Sequence, residues 1–343
     1  MTKIFLLSLG VLSLSLSSLA ADNAAKNSAS GTVFVEIDGA KLTAADVERK
    51  SAGALFQARN TYYQAERKAI DEFIEDYLLE KQAEKENLTV AQLLDKHVNK
   101  TIAKDPSDEA LQVYFEGPKT TDTFEKLKPQ ILEHVRQIRI EKAKTAYIAS
   151  LRAQASIAVR LPSPRNLVSM KNTPVRGNAD AKVTLVEYAD YECPYCQQIQ
   201  PVLDRLEADF KGKLAFAYKD VPLPMHANAQ KASEAAHCAG AQGKYWEFHD
   251  RLFSTKQLGV AQLREHATAL NLDAQAFNKC LDSGSQADLV KGYLSEAQDL
   301  KLQGTPSFFI NGRFFSGGLS YEELRSVVEE ELAGPQGTQA AVR

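Results

Sequence analysis

Two cysteines separated by a proline and a tyrosine, Cys193-Pro194-Tyr195-Cys196, lie between an apolar, strand-like run (Val183 to Tyr188) and a stretch of helical periodicity. No other feature constrains the chain as strongly. A Cys-x-x-Cys pair at a strand-to-helix junction matches the arrangement that performs reversible dithiol/disulfide exchange. The start of a helix offers free backbone N–H groups and a positive dipole end, and both favour a thiolate over a thiol. Pro194 suits the first turn, where its missing N–H costs no helical hydrogen bond. Half of a zinc site and a plain structural disulfide use the same residue pair. Zinc would need a second ligand pair, and Cys238 and Cys280 are far apart and lack ligand spacing. The motif therefore reads as redox-active.

The N-terminus indicates a compartment. Met1-Thr2-Lys3 precedes an apolar run from Ile4 to Leu19, and Ser18-Leu19-Ala20 ends it. A basic start, an apolar stretch and small residues at −3 and −1 describe a signal peptide cut after Ala20, so the expected location is periplasmic or otherwise extracytoplasmic. The run is short and studded with serine for an uncleaved anchor, so stable membrane insertion is not expected. A formal net charge of −3, with Lys and Arg scattered among Asp and Glu, offers no basic face for nucleic acid. Four cysteines in an exported chain fit two disulfides, one of which an oxidoreductase can carry reduced.

Along the chain, residues 21–32 read as a flexible leader and residues 33–161 as a mostly helical region. Val33 to Ile37 alternates like a strand, and Asp38-Gly39 signals a tight turn. Thr43 is placed to cap a helix, with Asp46 completing a capping box. Ile70, Phe73, Ile74, Tyr77 and Leu78 keep helical spacing, Asn87 interrupts it, and Thr89 restarts a short helix. A further helix starts at Asp105-Pro106-Ser107, and a long one runs from about Pro129 to Gln154. Ser156 to Leu161 reads as a strand able to pair back with Val33 to Ile37. Residues 162–174 form a proline-stiffened linker. Residues 175–334 then show strand Val183 to Asp190, helix Pro194 to Phe210, strand Leu214 to Val221 and a helical block to about Leu300. Strands Ser307 to Asn311 and Arg313 to Ser316 follow, joined by Asn311-Gly312, and helix Tyr321 to Leu332 ends the domain. Residues 335–343 read as a disordered tail.

Three segments of the second domain, EYADYECPYC (Glu187 to Cys196), HANAQKASEAAHCAGAQGKYWEFHDRLF (His226 to Phe253) and GTPSFFING (Gly304 to Gly312), resemble the DsbA-like branch of the thioredoxin superfamily. The resemblance implies an α/β thioredoxin fold with a helical insertion acting as a lid. It makes Cys193 the exposed nucleophile and Cys196 the buried resolving partner. Glu187 falls where relatives hold a buried acid that exchanges a proton with the resolving cysteine, and a buried carboxyl has the raised pKa for that role. Lys219, on the next strand, is a candidate partner for Glu187. Thr305-Pro306 resembles the cis-proline loop that faces the disulfide and presents the Thr305 backbone to an unfolded substrate. Asp190 and Glu192 would oppose a thiolate if they lay close to it.

Cys238 and Cys280 both fall in the insertion, and in an exported chain they read as a structural disulfide worth about 4 kcal/mol by loop closure. His226, His237 and His249 have no metal-triad spacing and are assigned no catalytic role. Tyr245, Trp246 and Phe248 read as lid core. Tyr195 stands where many oxidising relatives carry histidine, and between the cysteines it is placed to touch substrate.

Less specifically, VEIDGAKLTAADV, AIDEFIEDYLLE and PSDEALQVYF in the first domain resemble the helical chaperone portion of SurA-type foldases, without a prolyl-isomerase domain. That implies holding non-native polypeptide, forming a homodimer, or serving as a spacer. The expected activity is thiol:disulfide exchange with unfolded or misfolded cysteine-containing proteins, oxidation being the scaffold's default direction. A membrane-bound redox partner and no cofactor or metal complete the expectation. Rival readings are an isomerase or reductase, and a chaperone or soft-metal carrier in which the dithiol is secondary.

Overall fold

The computed structural model describes residues 32–102, 104–115 and 122–334. The expected signal segment, most of the leader and the C-terminal tail lie outside them. The chain divides into two compact units: residues 32–59 with 164–332, and residues 60–163.

In the first unit a hairpin of β1 (Val33–Ile37) and β2 (Ala40–Thr43) leads into helix α1 (Ala44–Glu86), which departs from helical geometry at Ser51. The expectation that Ser156–Leu161 pairs with β1 is corrected. β1 pairs antiparallel with β2, and residues 156–161 belong to no strand. Asp38 and Gly39 both have positive φ, the twist of a tight hairpin turn, and closing so short a loop costs less than recruiting a distant partner. The Thr43 capping box forms: its N–H donates to Asp46 at 2.8 Å, and the Asp46 N–H donates to the Thr43 hydroxyl at 3.3 Å. Gly53 lies against the backbone of Asp299, where an added Cβ would come within 1.8 Å of the carbonyl oxygen. That approach lets Phe56 stack on Phe309 with ring centroids 6.1 Å apart.

The same unit holds a five-stranded sheet of order β3-β5-β4-β6-β7. Its strands are β3 (Val175–Gly177), β4 (Val183–Ala189), β5 (Leu214–Asp220), β6 (Ser307–Ile310) and β7 (Arg313–Ser316). β4 and β5 run parallel, joined by helix α5 (Pro194–Asp209), and the other pairings are antiparallel. Strand alternation divides β4 between two cores. Val183, Leu185 and Ala189 pack with α5, whereas Val186 and Tyr188 pack with Phe56, Ala297 and Phe309. Asn311 and Gly312 turn β6 into β7 with φ of 46° and 84°. This is a thioredoxin fold with a helical insertion.

The insertion between β5 and β6 consists of α6 (Ala229–Gly240), α7 (Tyr245–Thr255), α8 (Val260–Ala269), α9 (Ala274–Ser283) and α10 (Ala287–Asp299). Cys238 of α6 and Cys280 of α9 form a disulfide, with Cα atoms 5.8 Å apart. Closing a loop over a separation of 42 residues contributes about 4 kcal/mol in the chain-entropy model. Phe248 and Tyr245 are buried in the insertion's core, and the Trp246 indole N–H donates to the Val175 carbonyl at 3.1 Å. The unit closes with helix α11 (Tyr321–Ala333), whose Leu324 and Val328 are fully buried.

The second unit is helical. It comprises the remainder of α1, α2 (Val90–His97), α3 (Asp108–Phe115) and α4 (Phe124–Gln154), around a core of Leu79, Ala83, Leu93, Ile148 and Leu151. Thr89 and Gln92 form a complete capping box at the start of α2. The long helix begins at Phe124, earlier than the expected Pro129, which the helix accommodates near its N-terminal end. Residues 155–161, together with Ile70, Phe73, Ile74 and Tyr77, line an apolar groove of about 530 Å³.

Candidate active site

The site assembles where β4 ends and α5 begins. Cys193 is the N-cap residue of α5 and Pro194 its first helical residue. The helix therefore presents the N–H groups of Tyr195 and Cys196 toward the Cys193 sulfur, and one turn in, Cys196 points into the core. Both cysteines are free thiols. The resemblance implied an exposed Cys193, and here the structure corrects it. The residue is only 4% exposed, because it packs in the core and the Thr305 carbonyl lies 3.5 Å from its sulfur. A thiol donates to that carbonyl, whereas a thiolate cannot.

The two thiols are driven in opposite directions. Cys193 is lowered to about 5, first by the hydrogen bond from the Cys196 thiol, against the opposing effect of burial. The Thr305 side chain and the N–H groups of Cys196 and Tyr195 lower it further. The Thr305 hydroxyl is buried with no other hydrogen-bond partner among the described residues. Cys196 is fully buried, and burial together with its bond to the Cys193 sulfur holds it far above the ordinary thiol range. The environment thus favours a thiolate at Cys193 and a thiol at Cys196, both beneath the surface.

Glu187 lies on the β4 face that packs against α5 and is fully buried. Burial pushes its carboxyl up to about 8, against the lowering effect of Gln200. The Gln200 amide donates to Glu187 Oε1 at 3.5 Å and to the Cys196 carbonyl at 3.2 Å, and Glu187 Oε2 has no partner among the described residues. Gln200 was missed in the sequence. It falls four residues after Cys196 on the same helical face, so the spacing carried the signal.

Lys219 is not the partner of Glu187. In the parallel register Glu187 sits opposite Tyr218, and Lys219 opposite Tyr188, so alternation places the lysine on the other face of the sheet. There it pairs with Glu296 and lies 5.3 Å from the Tyr188 ring centroid. Nor do Asp190 and Glu192 act as free anions beside the thiolate. Asp190 accepts from the Glu192 and Leu223 N–H groups at 2.7 and 2.8 Å, and Glu192 accepts from the N–H and side-chain amide of Asn228.

The Thr305–Pro306 peptide bond is cis. Tyr195 is 63% exposed. His249 is buried, shares a hydrogen bond of 3.0 Å with Tyr191, and is kept neutral by burial. His237 pairs with Asp220 at 2.7 Å in the interior. Among the described residues no three His, Cys, Asp or Glu side chains gather to hold a metal ion.

Fold and site together define a class: a thioredoxin-fold domain with a dithiol arranged for exchange at the N-terminus of its first sheet-joining helix. The family model described as thioredoxin matches residues 169–330. Among curated proteins, the chain is 39% identical over 162 residues to Na(+)/H(+) antiporter NhaA 1 of Salinispora arenicola, covering 47% of this chain and 25% of that protein. It is 34% identical over 164 residues to NhaA of Herminiimonas arsenicoxydans, covering 47% and 26%. The chain thus spans about a quarter of the length of the curated relatives it matches. Among solved structures, oxidised BdbD from Bacillus subtilis is 24% identical with a TM-score of 0.47, covering 50% of this chain and 99% of that one. The thiol-disulfide exchange protein alpha-DsbA2 from Wolbachia pipientis is 25% identical with a TM-score of 0.43, covering 47% and 87%. No helix among the described residues is long and apolar enough to cross a membrane.

Proposed function

We propose that the protein is an exported thiol:disulfide oxidoreductase that transfers the Cys193–Cys196 disulfide to unfolded, cysteine-containing proteins. The observation that carries this reading is the placement of the two thiols, Cys193 at the α5 N-cap, where helix N–H groups favour a thiolate, and Cys196 fully buried, where burial favours the thiol. A substrate thiolate attacks Cys193, and Cys196 leaves and takes a proton. A second substrate thiolate then attacks the mixed disulfide and expels Cys193, the better leaving group. Glu187 exchanges a proton with Cys196, and Thr305 and Pro306 line the face where substrate backbone docks. The signal segment favours an extracytoplasmic setting, where a membrane-bound partner would reoxidise the pair.

The test is direct. Oxidised protein mixed with a reduced, unfolded polypeptide is expected to remove two substrate thiols per chain, and no transfer would overturn the reading. Direction follows from the reduction potential. Stabilising the Cys193 thiolate stabilises the reduced form, so a pKa of about 5 predicts a potential between about −270 and −120 mV. A potential at or below about −270 mV would make the protein a reductant.

For the helical unit of residues 60–163, within the stretch that resembles SurA-type chaperone domains, we propose a holding role for non-native chain. The apolar groove beside Phe73, which is 70% exposed, supports it. Suppression of client aggregation is expected to survive Cys193→Ser and to fail with Phe73→Glu. The reverse pattern would remove the role from this domain.

A further inference from the structure

Tyr195 leaves the motif without a cation between its cysteines, and the loop after β5 brings a histidine, His226, to the segment that precedes it. Asp190, fully buried at the end of β4, joins the two segments. Its carbonyl accepts from the Cys193 N–H at 3.1 Å, and Oδ1 accepts from the Glu192 N–H at 2.7 Å. Oδ2 accepts from the Leu223 N–H at 2.8 Å and lies 2.7 Å from His226 Nδ1. With those N–H donors already on the Asp190 oxygens, the remaining contact is a hydrogen bond in which His226 Nδ1–H donates to Oδ2. Nε2 is then the ring atom that titrates. The neighbouring Glu192 is turned to Asn228, so its charge is partly met there.

We propose that His226, oriented by Asp190, is the cation that compensates the Cys193 thiolate, binding its proton more tightly in the reduced state than in the oxidised one. The proposal rests on the exchange reading above. Two substrate thiols lose two electrons and two protons as they join in a disulfide. The electrons break the Cys193–Cys196 bond and Cys196 takes one proton; Cys193 does not keep the second, which is shared between the His226 ring and the solvent. Burial of the His226 ring disfavours its charge. The hydrogen bond and charge of Asp190, followed by the charges of Cys193 and Glu192, outweigh burial and raise its pKa. By reciprocity the charged ring stabilises the thiolate, adding to the larger contributions of the Cys196 thiol and the helix N–H groups. His226 is thus a positioning and charge-compensating residue that is not itself attacked.

The experiment follows the His226 ring resonance by NMR, assigned as the signal missing from His226→Gln, across a pH titration. Dithiothreitol and oxidised glutathione set the two redox states, so the outcome does not depend on whether proteins are the substrates. The midpoint is expected to fall by about half a pH unit or more on oxidation, and reduced Cys193→Ser should titrate like the oxidised protein. In His226→Gln the thiolate absorbance of Cys193 should titrate about half a unit higher, with thermal stability measured alongside. A midpoint indifferent to redox state, or an unmoved Cys193 titration in His226→Gln, would overturn the proposal. Failure of protein-thiol oxidation with a redox-dependent His226 midpoint would instead overturn only the exchange reading.

Discussion

Replacing Cys193 by serine is expected to abolish exchange, with a fall of about 10⁴-fold or more, to the uncatalysed background. The serine hydroxyl neither ionises near neutral pH nor forms a mixed disulfide, so both directions of transfer are lost. Cys196→Ser should differ in kind. Its Cys193 thiolate still attacks a substrate disulfide but has no partner to release it, and a mixed disulfide should accumulate on non-reducing gels. In the reduced parent protein, thiolate absorbance should rise with a midpoint of about 5. Cys193 is then fully ionised at neutral pH, so attack by the reduced form is flat above about pH 6 and falls below the midpoint. Retained exchange in Cys193→Ser would remove the foundation of the functional reading.

Glu187→Gln should reshape stability against pH. The folded carboxyl titrates at about 8 and its unfolded counterpart near 4.5. Between those values the folded chain holds a proton that the unfolded chain releases, so unfolding is favoured as pH rises through the window. At about 1.4 kcal/mol per unit, the acid costs on the order of 3 kcal/mol at pH 7 and somewhat more above pH 8. Glutamine keeps the shape and removes the titration. The variant should therefore be as stable as its parent below about pH 4.5 and increasingly more stable toward pH 8. Urea midpoints of the reduced proteins at about pH 4.5 and 8 measure this, and an equal difference at both would refute the buried-acid assignment. Exchange should slow by about 10²-fold as Cys196 loses the group that exchanges a proton with it.

Much of this site was legible because its signals are local. Cys193 through Cys196 lies on a strand-to-helix junction, and the turns at Asp38-Gly39 and Asn311-Gly312 need only neighbouring residues to form. What failed depended on partners. Alternation in Ser156–Leu161 marks a segment able to be a strand and says nothing of what it pairs with. Lys219 was a candidate partner for Glu187 because both lie on neighbouring strands, yet a register of one residue decides which face each side chain occupies. The cover over Cys193 comes from Thr305, 112 residues away, and His226 reaches Asp190 across 36. Only the completed sheet brings such pairs together. Gln200 was accessible from spacing alone, since a polar residue one turn from Cys196 on an inward face requires a buried partner.

The second cysteine pair acquires a further meaning from its place. Cys238 and Cys280 tie α6 to α9 within the insertion, and Cys238 is 1% exposed. A thiolate can attack only a sulfur it can approach in line, so the buried Cys238 sulfur is shielded and attack is confined to the partly buried Cys280. One chain thereby keeps two sulfur couples of different kinds, one cycling at the helix N-terminus and one bracing the insertion, the second open to exchange from one side alone.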